Sequence, residues 1–357
     1  MTTDSAAVRT APAVVAAGDS RAAKAVHGES KVFLEVAGHP LVVHVVRVLQ
    51  DVPEIDAVWV VGNRARLEAT FAVPEVQALL HKPIFFVEQR ESLLANAWEA
   101  YRCILSGDPD QGREPETDAD RDVEILFLSG DLPFATPQEM SAFIQQSRAN
   151  GTIYTCGLTS EAALAPFRSD AVGGDGIDVA YFNLRDGRFR QNNLHYAKPA
   201  RIGQLRAIEE MYAHRHQQKV MNMIGLAWQV LFANGGGARV VFFYMIMHLS
   251  GWADRKGWRR ISDWLRIVTM EANERAVGAM LQTDFCFEVM AVGGCGIDVD
   301  NEEEYAAVQK HFERWSAEQA SLAEKIYGPV GLPARVPDET HRLPRRSSRS
   351  DGAGGTP

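Results

Sequence analysis

The stretch AVVAAGDSR, Ala13 to Arg21, decides how the rest of the chain is read. Small and branched apolar residues run without a polar interruption into Gly18. That is the pattern of a strand buried on both faces of a sheet, leaving it through a tight loop. Similar short apolar runs recur downstream at Ala57–Gly62 (AVWVVG), Pro83–Glu88 (PIFFVE) and Val123–Ser129 (VEILFLS). Between them, Pro40–Gln50, Ser92–Leu105 and Gln138–Arg148 carry apolar residues at helical spacing. Strand and helix alternating this regularly predict a mainly parallel sheet with helices on both faces, a three-layer α/β/α architecture. Such sheets bind ligands outside the carboxyl ends of their strands. The Gly18 turn and Asp131, which follows Val123–Ser129, both fall on that edge.

Beyond this core the pattern loosens. The segment 107–122 (GDPDQGREPETDADRD) is acidic, rich in proline and glycine and nearly free of apolar groups, so a solvated loop insertion is expected there. Strands are expected at Ile153–Gly157 and Val179–Leu184, ahead of the turn Arg185-Asp186-Gly187. Residues 200–281 read as a mostly helical region. A last strand, Cys286–Val292, precedes a helix from Asn301 to about Ile326 whose start is rich in acid. From Leu332 to the end at Pro357 no core residues occur, and disorder is expected.

Composition excludes several functional classes. The chain has 357 residues, 46% of them apolar, enough for one large domain or two small ones. A formal charge of −9 repels polyanions, so no nucleic-acid partner is expected. Four cysteines without a C-x-x-C pair, and an N-terminus without a long apolar run, point to reduced thiols and a cytoplasmic protein. The most apolar stretch, Val240–Leu249, is about half the roughly 20 residues of a membrane-spanning helix and is expected to be buried core. With the apolar segment Val220–Ala233 before it, an interfacial patch making peripheral membrane contact is the alternative.

Three constellations carry chemistry. The first is Ala16-Ala17-Gly18 with Arg21 and, ten residues on, Lys31. A strand ending in a small-residue turn leaves backbone N–H groups pointing outward, where they can cradle phosphate oxygens, and two cations would stabilise a triphosphate. A plain turn is the competing reading. The segment is neither a Walker loop nor a G-x-G-x-x-G fingerprint, which disfavours a nicotinamide dehydrogenase. The second is Asp131 in LSGDLP, where a strand delivers one carboxylate to the sheet edge. Mg²⁺ is held by one or two carboxylates plus phosphates and water, and a lone aspartate suits it; a helix cap is the alternative. The third is Asp298-Val299-Asp300, whose carboxylates would share one side of an extended segment, unless Asp300 or Asn301 merely caps the last helix.

In this order and spacing, AAG-x-x-R, SK-x-F-L-E-V-A-G-H-P-L, LSGDLP and GIDVD resemble the MobA-like NTP transferase family, nucleotidyltransferases of GT-A fold, over residues 11–315. The resemblance extends to the NNL segment Asn192-Asn193-Leu194 after RDGRF. It implies that Ala16, Ala17 and Gly18 pack against base and phosphates and that Arg21 and Lys31 bind the triphosphate. Asp131 would hold Mg²⁺, with Asp298 and Asp300 completing the metal site. Ser92 and Asn96 would contact the base, and Asn193 would face the acceptor. The implied activity is transfer of a nucleoside monophosphate from an NTP to a small, phosphorylated acceptor with release of pyrophosphate. The greasy helical region adds a lipid-like acceptor as a variant.

The sequence departs from the family where Asp19-Ser20 replaces the second glycine of G-x-G-x-R and Ser30 replaces the usual proline. A catalytically degenerate member with a regulatory or binding role is therefore an alternative, and a GT-A nucleotide-sugar glycosyltransferase is another. The latter normally places D-x-D after a central strand, where this chain has Asp131 alone. His214 and His216 read as a solvated helix face rather than a metal site. Trp252, Trp258 and Trp264, interspersed with Arg255, Lys256, Arg259, Arg260 and Arg266, read as aromatic core packing, with cover for an anionic or lipid-like acceptor as the alternative.

Overall fold

The computed structural model describes residues 8–19, 25–205 and 256–335, with scattered positions between 243 and 253. Eight strands make one sheet: β1 (Ala11–Ala17), β2 (Ile55–Gly62), β3 (Ile84–Glu88), β4 (Ile125–Ser129), β5 (Tyr154–Ser160), β6 (Phe182–Leu184), β7 (Gly187–Ala197) and β8 (Phe285–Met290). Their order is β8-β5-β7-β4-β1-β2-β3, with β6 paired to β7. β1 lies inside the sheet, parallel to β2 on one side and β4 on the other. Its small residues let both neighbours' side chains and the covering helices close over it, and Ala13, Val15 and Ala17 are fully buried. At its end the backbone of β2 comes so near that a Cβ on Gly62 would stand 2.3 Å from the Ala17 carbonyl oxygen, which admits only glycine.

Helices cover both faces. On one, α1 (Leu41–Gln50), α4 (Pro137–Asn150) and the long α7 (Glu302–Tyr327) bury Val42, Val46, Leu49, Phe143, Ile144 and Ala323 against the sheet. On the other, α3 (Leu93–Ser106) packs Ala100, Tyr101 and Cys103 on Val14, Trp59 and Val61, and α6 (Met270–Leu281) packs Leu281 on Cys156 and Phe285. Shorter helices include α2 (Arg64–Phe71) and α5 (Arg259–Leu265). This is the three-layer α/β/α arrangement expected from the alternation. The helix starts follow local chemistry: Ser92, Thr136 and Asn301 each accept a hydrogen bond from a first-turn backbone N–H of α3, α4 and α7.

Several expectations need correction. The sequence reading assigns no strand between Gly187 and Ile202, yet Gly187–Ala197 is the longest described strand and runs antiparallel between β4 and β5. Its apolar alternation is broken by a register shift between Gln191 and His195, which erases the period of two. The segment 107–122 is mostly exposed but not simply a solvated loop. Asp118–Arg121 forms a helical turn with a capping box, and the buried Asp120 carboxylate accepts hydrogen bonds from Arg113 and from the Glu116 and Thr117 amides. The tail does not loosen at Leu332 itself, because the Ala334 amide donates to Gln145 and that of Arg335 to the Tyr327 carbonyl; residues 336–357 lie outside the described residues. Trp258 and Trp264 are not core, being 50% and 78% exposed. Val220–Ala233, His214, His216 and Trp252 lie outside the described residues, as does most of Val240–Leu249. No described helix is long and apolar enough to cross a membrane.

Candidate active site

Two loop systems meet at the carboxyl edge of β1 and β4. The Gly130 amide donates to the Ala16 carbonyl at 2.9 Å, which ties the Gly18 turn to the turn carrying Asp131. Asp131 is 3% exposed. It is not a helix cap, because Thr136 caps α4, and its carboxylate accepts a hydrogen bond from the Ser129 hydroxyl. Asn301 likewise caps α7 through the Glu304 amide, which leaves the Asp300 side chain for other partners.

Lys31 joins these pieces. It opens a 3₁₀ turn, Lys31–Phe33, anchored by the buried Val32 and Phe33. Its Nζ lies 2.9 Å from Asp131 Oδ2 and 2.7 Å from Asp300 Oδ1. Three stretches far apart in sequence are thus held within one ion-pair cluster. Burial works against the lysine's charge, but Asp131 and Asp300 outweigh it and hold the ammonium well above the usual lysine range. Asp298 is paired instead with Arg190 Nη2 at 2.5 Å. Burial, and then Asp131 and Asp300 as like charges, push the Asp298 carboxyl upward against the pull of Arg190. The cluster therefore sets three carboxylates against two cations.

The remaining sequence-predicted residues fall on the same edge. Ala16 and Ala17 end β1, and Gly18 begins the loop. Asp19, one of the departures from the family pattern, is clamped by Gln89: the Gln89 amide group donates to Asp19 Oδ1 at 2.7 Å and the Asp19 N–H donates to Gln89 Oε1 at 3.0 Å. Its carboxylate is thereby engaged by Gln89. Ser92 and Asn96 shape the entry to α3, Ser92 as its cap and Asn96 by accepting from the Arg90 amide at 2.5 Å. Asn193 is half-buried and one position before Leu194, which pairs with Leu128 in antiparallel register, so it falls level with Ser129, two residues ahead of Asp131. Arg21 lies outside the described residues.

Sequence reasoning missed Arg190 and the clamping role of Gln89. The signal for the first was present in Arg188-Phe189-Arg190, whose two arginines share a strand face and pair with Glu161 and Asp298, but it is readable only once β7 is known to be a strand.

The donor set can be tested against a magnesium ion. Among the described residues no three carboxylate, imidazole or thiol groups are gathered tightly enough to make a ready-made metal cage. Mg²⁺ does not require one, since it binds through one or two carboxylates and completes its shell with phosphates and water. Asp131 just past the end of β4, with Asp298 and Asp300 on the segment before α7, supplies hard oxygen donors in excess of the local cations, which fits that requirement.

A family model, that of the MobA-like NTP transferase domain, matches residues 13–224. A hypothetical transferase from Thermus thermophilus is 19% identical with a TM-score of 0.53, covering 83% of this chain and 99% of its own; at that identity the likeness is one of fold. The 4-diphosphocytidyl-2C-methyl-D-erythritol synthase of Anaerococcus prevotii is 11% identical with a TM-score of 0.42, over 86% of this chain and 97% of its own. A CMP:2-keto-3-deoxy-manno-octonic acid synthetase complexed with CTP is 12% identical with a TM-score of 0.43, over 87% and 99%. No curated protein matches the chain significantly.

Proposed function

The chain belongs to the MobA-like NTP transferase family, and from that premise we propose that it is a magnesium-dependent nucleotidyltransferase, moving a nucleoside monophosphate from an NTP to a small, phosphorylated acceptor and releasing pyrophosphate. The observation that carries this reading is the cluster in which Lys31 bridges Asp131 and Asp300 beside the Gly18 turn. The end of β1 and its turn, Ala16, Ala17 and Gly18, pack against the base and phosphates, and Arg21 and Lys31 neutralise the phosphates. Ser92 and Asn96 border the base, and Asn193 orients the acceptor. Asp131, with Asp298 and Asp300, would hold magnesium, which when bound supplies charge neutralisation for the phosphates. The side chains position the acceptor oxygen in line with the α-phosphorus and exclude bulk water, so positioning and electrostatics supply most of the rate.

Two other readings fit less well. A glycosyltransferase would place its D-x-D where this chain has only Asp131, and a degenerate member would be expected to lose Arg21 or Lys31, both of which the sequence retains. Melting the protein with CTP, GTP, UTP or ATP at about a hundredfold excess over Kd should raise Tm by on the order of 5 °C for one of them with Mg²⁺ and by much less without it. No shift with any nucleotide contradicts the proposal.

The four cysteines are free and buried, which suits a reducing cytoplasm where NTPs are supplied. The acceptor or its membrane setting is lipid-like in the variant that the exposed aromatics support. Trp258, Ile261, Trp264 and Ile267 are 50%, 49%, 78% and 57% exposed, with Lys256 and Arg260 exposed beside them. Tryptophan and cations together suit a bilayer interface carrying anionic headgroups. Sedimentation with anionic lipid vesicles should retain the wild type and lose Trp258→Ser/Trp264→Ser about tenfold; equal, negligible retention of both removes the membrane variant.

A further inference from the structure

Asp298 and Asp300 do not stand on the strand that precedes them. After β8 ends at Met290, the chain crosses eleven residues, 291–301, before α7, and Val292, Cys295, Ile297 and Val299 are fully buried along the way. A buried, irregular segment must find partners for its amides. Three alternate amides are met by side chains from two helices: the Ala291 N–H donates to the Tyr327 hydroxyl at 2.8 Å, that of Gly293 to Gln319 Oε1 at 3.0 Å, and that of Cys295 to Glu139 Oε2 at 3.1 Å. All three side chains are at most 3% exposed.

Glu139 has a second connection. It lies in the first turn of α4, directly after the segment that carries Asp131, and its own amide donates to the Thr136 hydroxyl. The two segments touch backbone to backbone, since a Cβ on Gly294 would stand 2.0 Å from the Phe134 carbonyl oxygen. Burial pushes the Glu139 carboxyl up to about 8, so it accepts the Cys295 amide largely without carrying a charge into the core. Tyr327 and Gln319 fix the same loop from α7, whose N-terminus begins just past Asp300.

We propose that Glu139, Gln319 and Tyr327 are positioning residues: they clasp the amides of Ala291, Gly293 and Cys295 and so hold Asp298 and Asp300 in register opposite Asp131. None of the three reaches the cluster itself; they act through the loop. The consequence for metal and nucleotide rests on the nucleotidyltransferase reading, whereas the clasp stands on geometry alone. Outer residues that orient metal ligands are worth about 10–100-fold in affinity or activity, and a shift of about 1 Å at a reacting centre can cost about a hundredfold.

Hydrogen exchange on the full-length chain, read by mass spectrometry, separates the two. In Glu139→Ala the peptide covering 291–300 should exchange at least about tenfold faster than in wild type, with β1 and β4 unchanged, while Glu139→Gln, which keeps the acceptor oxygen, exchanges like wild type. Tyr327→Phe, which removes only a hydroxyl and keeps the ring, should loosen the same peptide if Glu139→Ala fails to fold. In parallel, Mn²⁺ binding followed by electron paramagnetic resonance in the presence of NTP should weaken about 10–100-fold in Glu139→Ala and recover in Glu139→Gln. Unchanged exchange at 291–300, or faster exchange spread evenly over the whole sheet, overturns the clasp. Wild-type protein that binds no Mn²⁺ with NTP overturns the nucleotidyltransferase reading and leaves the exchange result to decide the clasp.

Discussion

Lys31→Ala is expected to lower nucleotide-dependent turnover by about 10²–10³-fold, the cost of removing a preorganised group from charge that develops in a transition state. The lysine reaches two of the three carboxylates at once, at 2.9 Å and 2.7 Å. Its loss acts in two ways that can be told apart. Without metal, Asp131 and Asp300 lose their shared ammonium, so the variant should melt below wild type. Added Mg²⁺ should then raise the Tm of the variant more than that of wild type, because it replaces a missing positive charge. Turnover should nevertheless stay low, since a metal at the carboxylates does not substitute for a cation on the triphosphate. Lys31→Arg should rescue only part of the activity, because a planar guanidinium does not place one compact charge between two oxygens. Wild-type turnover in Lys31→Ala contradicts the assignment.

Asp131→Ala is expected to have the larger effect, about 10³-fold or more, because a direct metal-holding carboxylate should exceed the 10–100-fold typical of outer residues. Asp131 is nearly fully buried and held by the Ser129 hydroxyl, so its carboxylate is fixed before any ligand arrives. Asp131→Asn keeps the shape and removes the charge. It should fail almost as badly as alanine in turnover, with half-saturating Mg²⁺ raised in both. An asparagine variant with full activity would mean that the residue serves the turn and not the metal.

How much of this was legible in the sequence depends on what each element is made of. β1 and β4 were readable because a strand buried on both faces reads as a short, near-continuous apolar run bounded by turn residues, and both runs end at a glycine. Asp131 was readable for the same reason, as the first charge after such a run. β7 was not, because its polar residues and its register shift remove the alternation that marks a half-buried strand. With β7 went Arg190, and with Arg190 the partner of Asp298. The pairing of Lys31 with both Asp131 and Asp300 joins positions 31, 131 and 300, and no local pattern encodes a contact of that span; the resemblance to a family supplied the grouping, and the packing of α4 and α7 on the sheet supplies its physical cause. The aromatic segment misled in the opposite direction. Tryptophans usually find cores, and only the folded surface shows Trp264 at 78% exposure.

The most direct test is pyrophosphate release by the wild-type protein, measured with Mg²⁺ and each of CTP, GTP, UTP and ATP in turn, in the presence of a pool of phosphorylated metabolites. Release is expected with one nucleotide, dependent on both Mg²⁺ and the acceptor pool and absent in Asp131→Ala. Release that persists in Asp131→Ala, or none from any nucleotide, would contradict it.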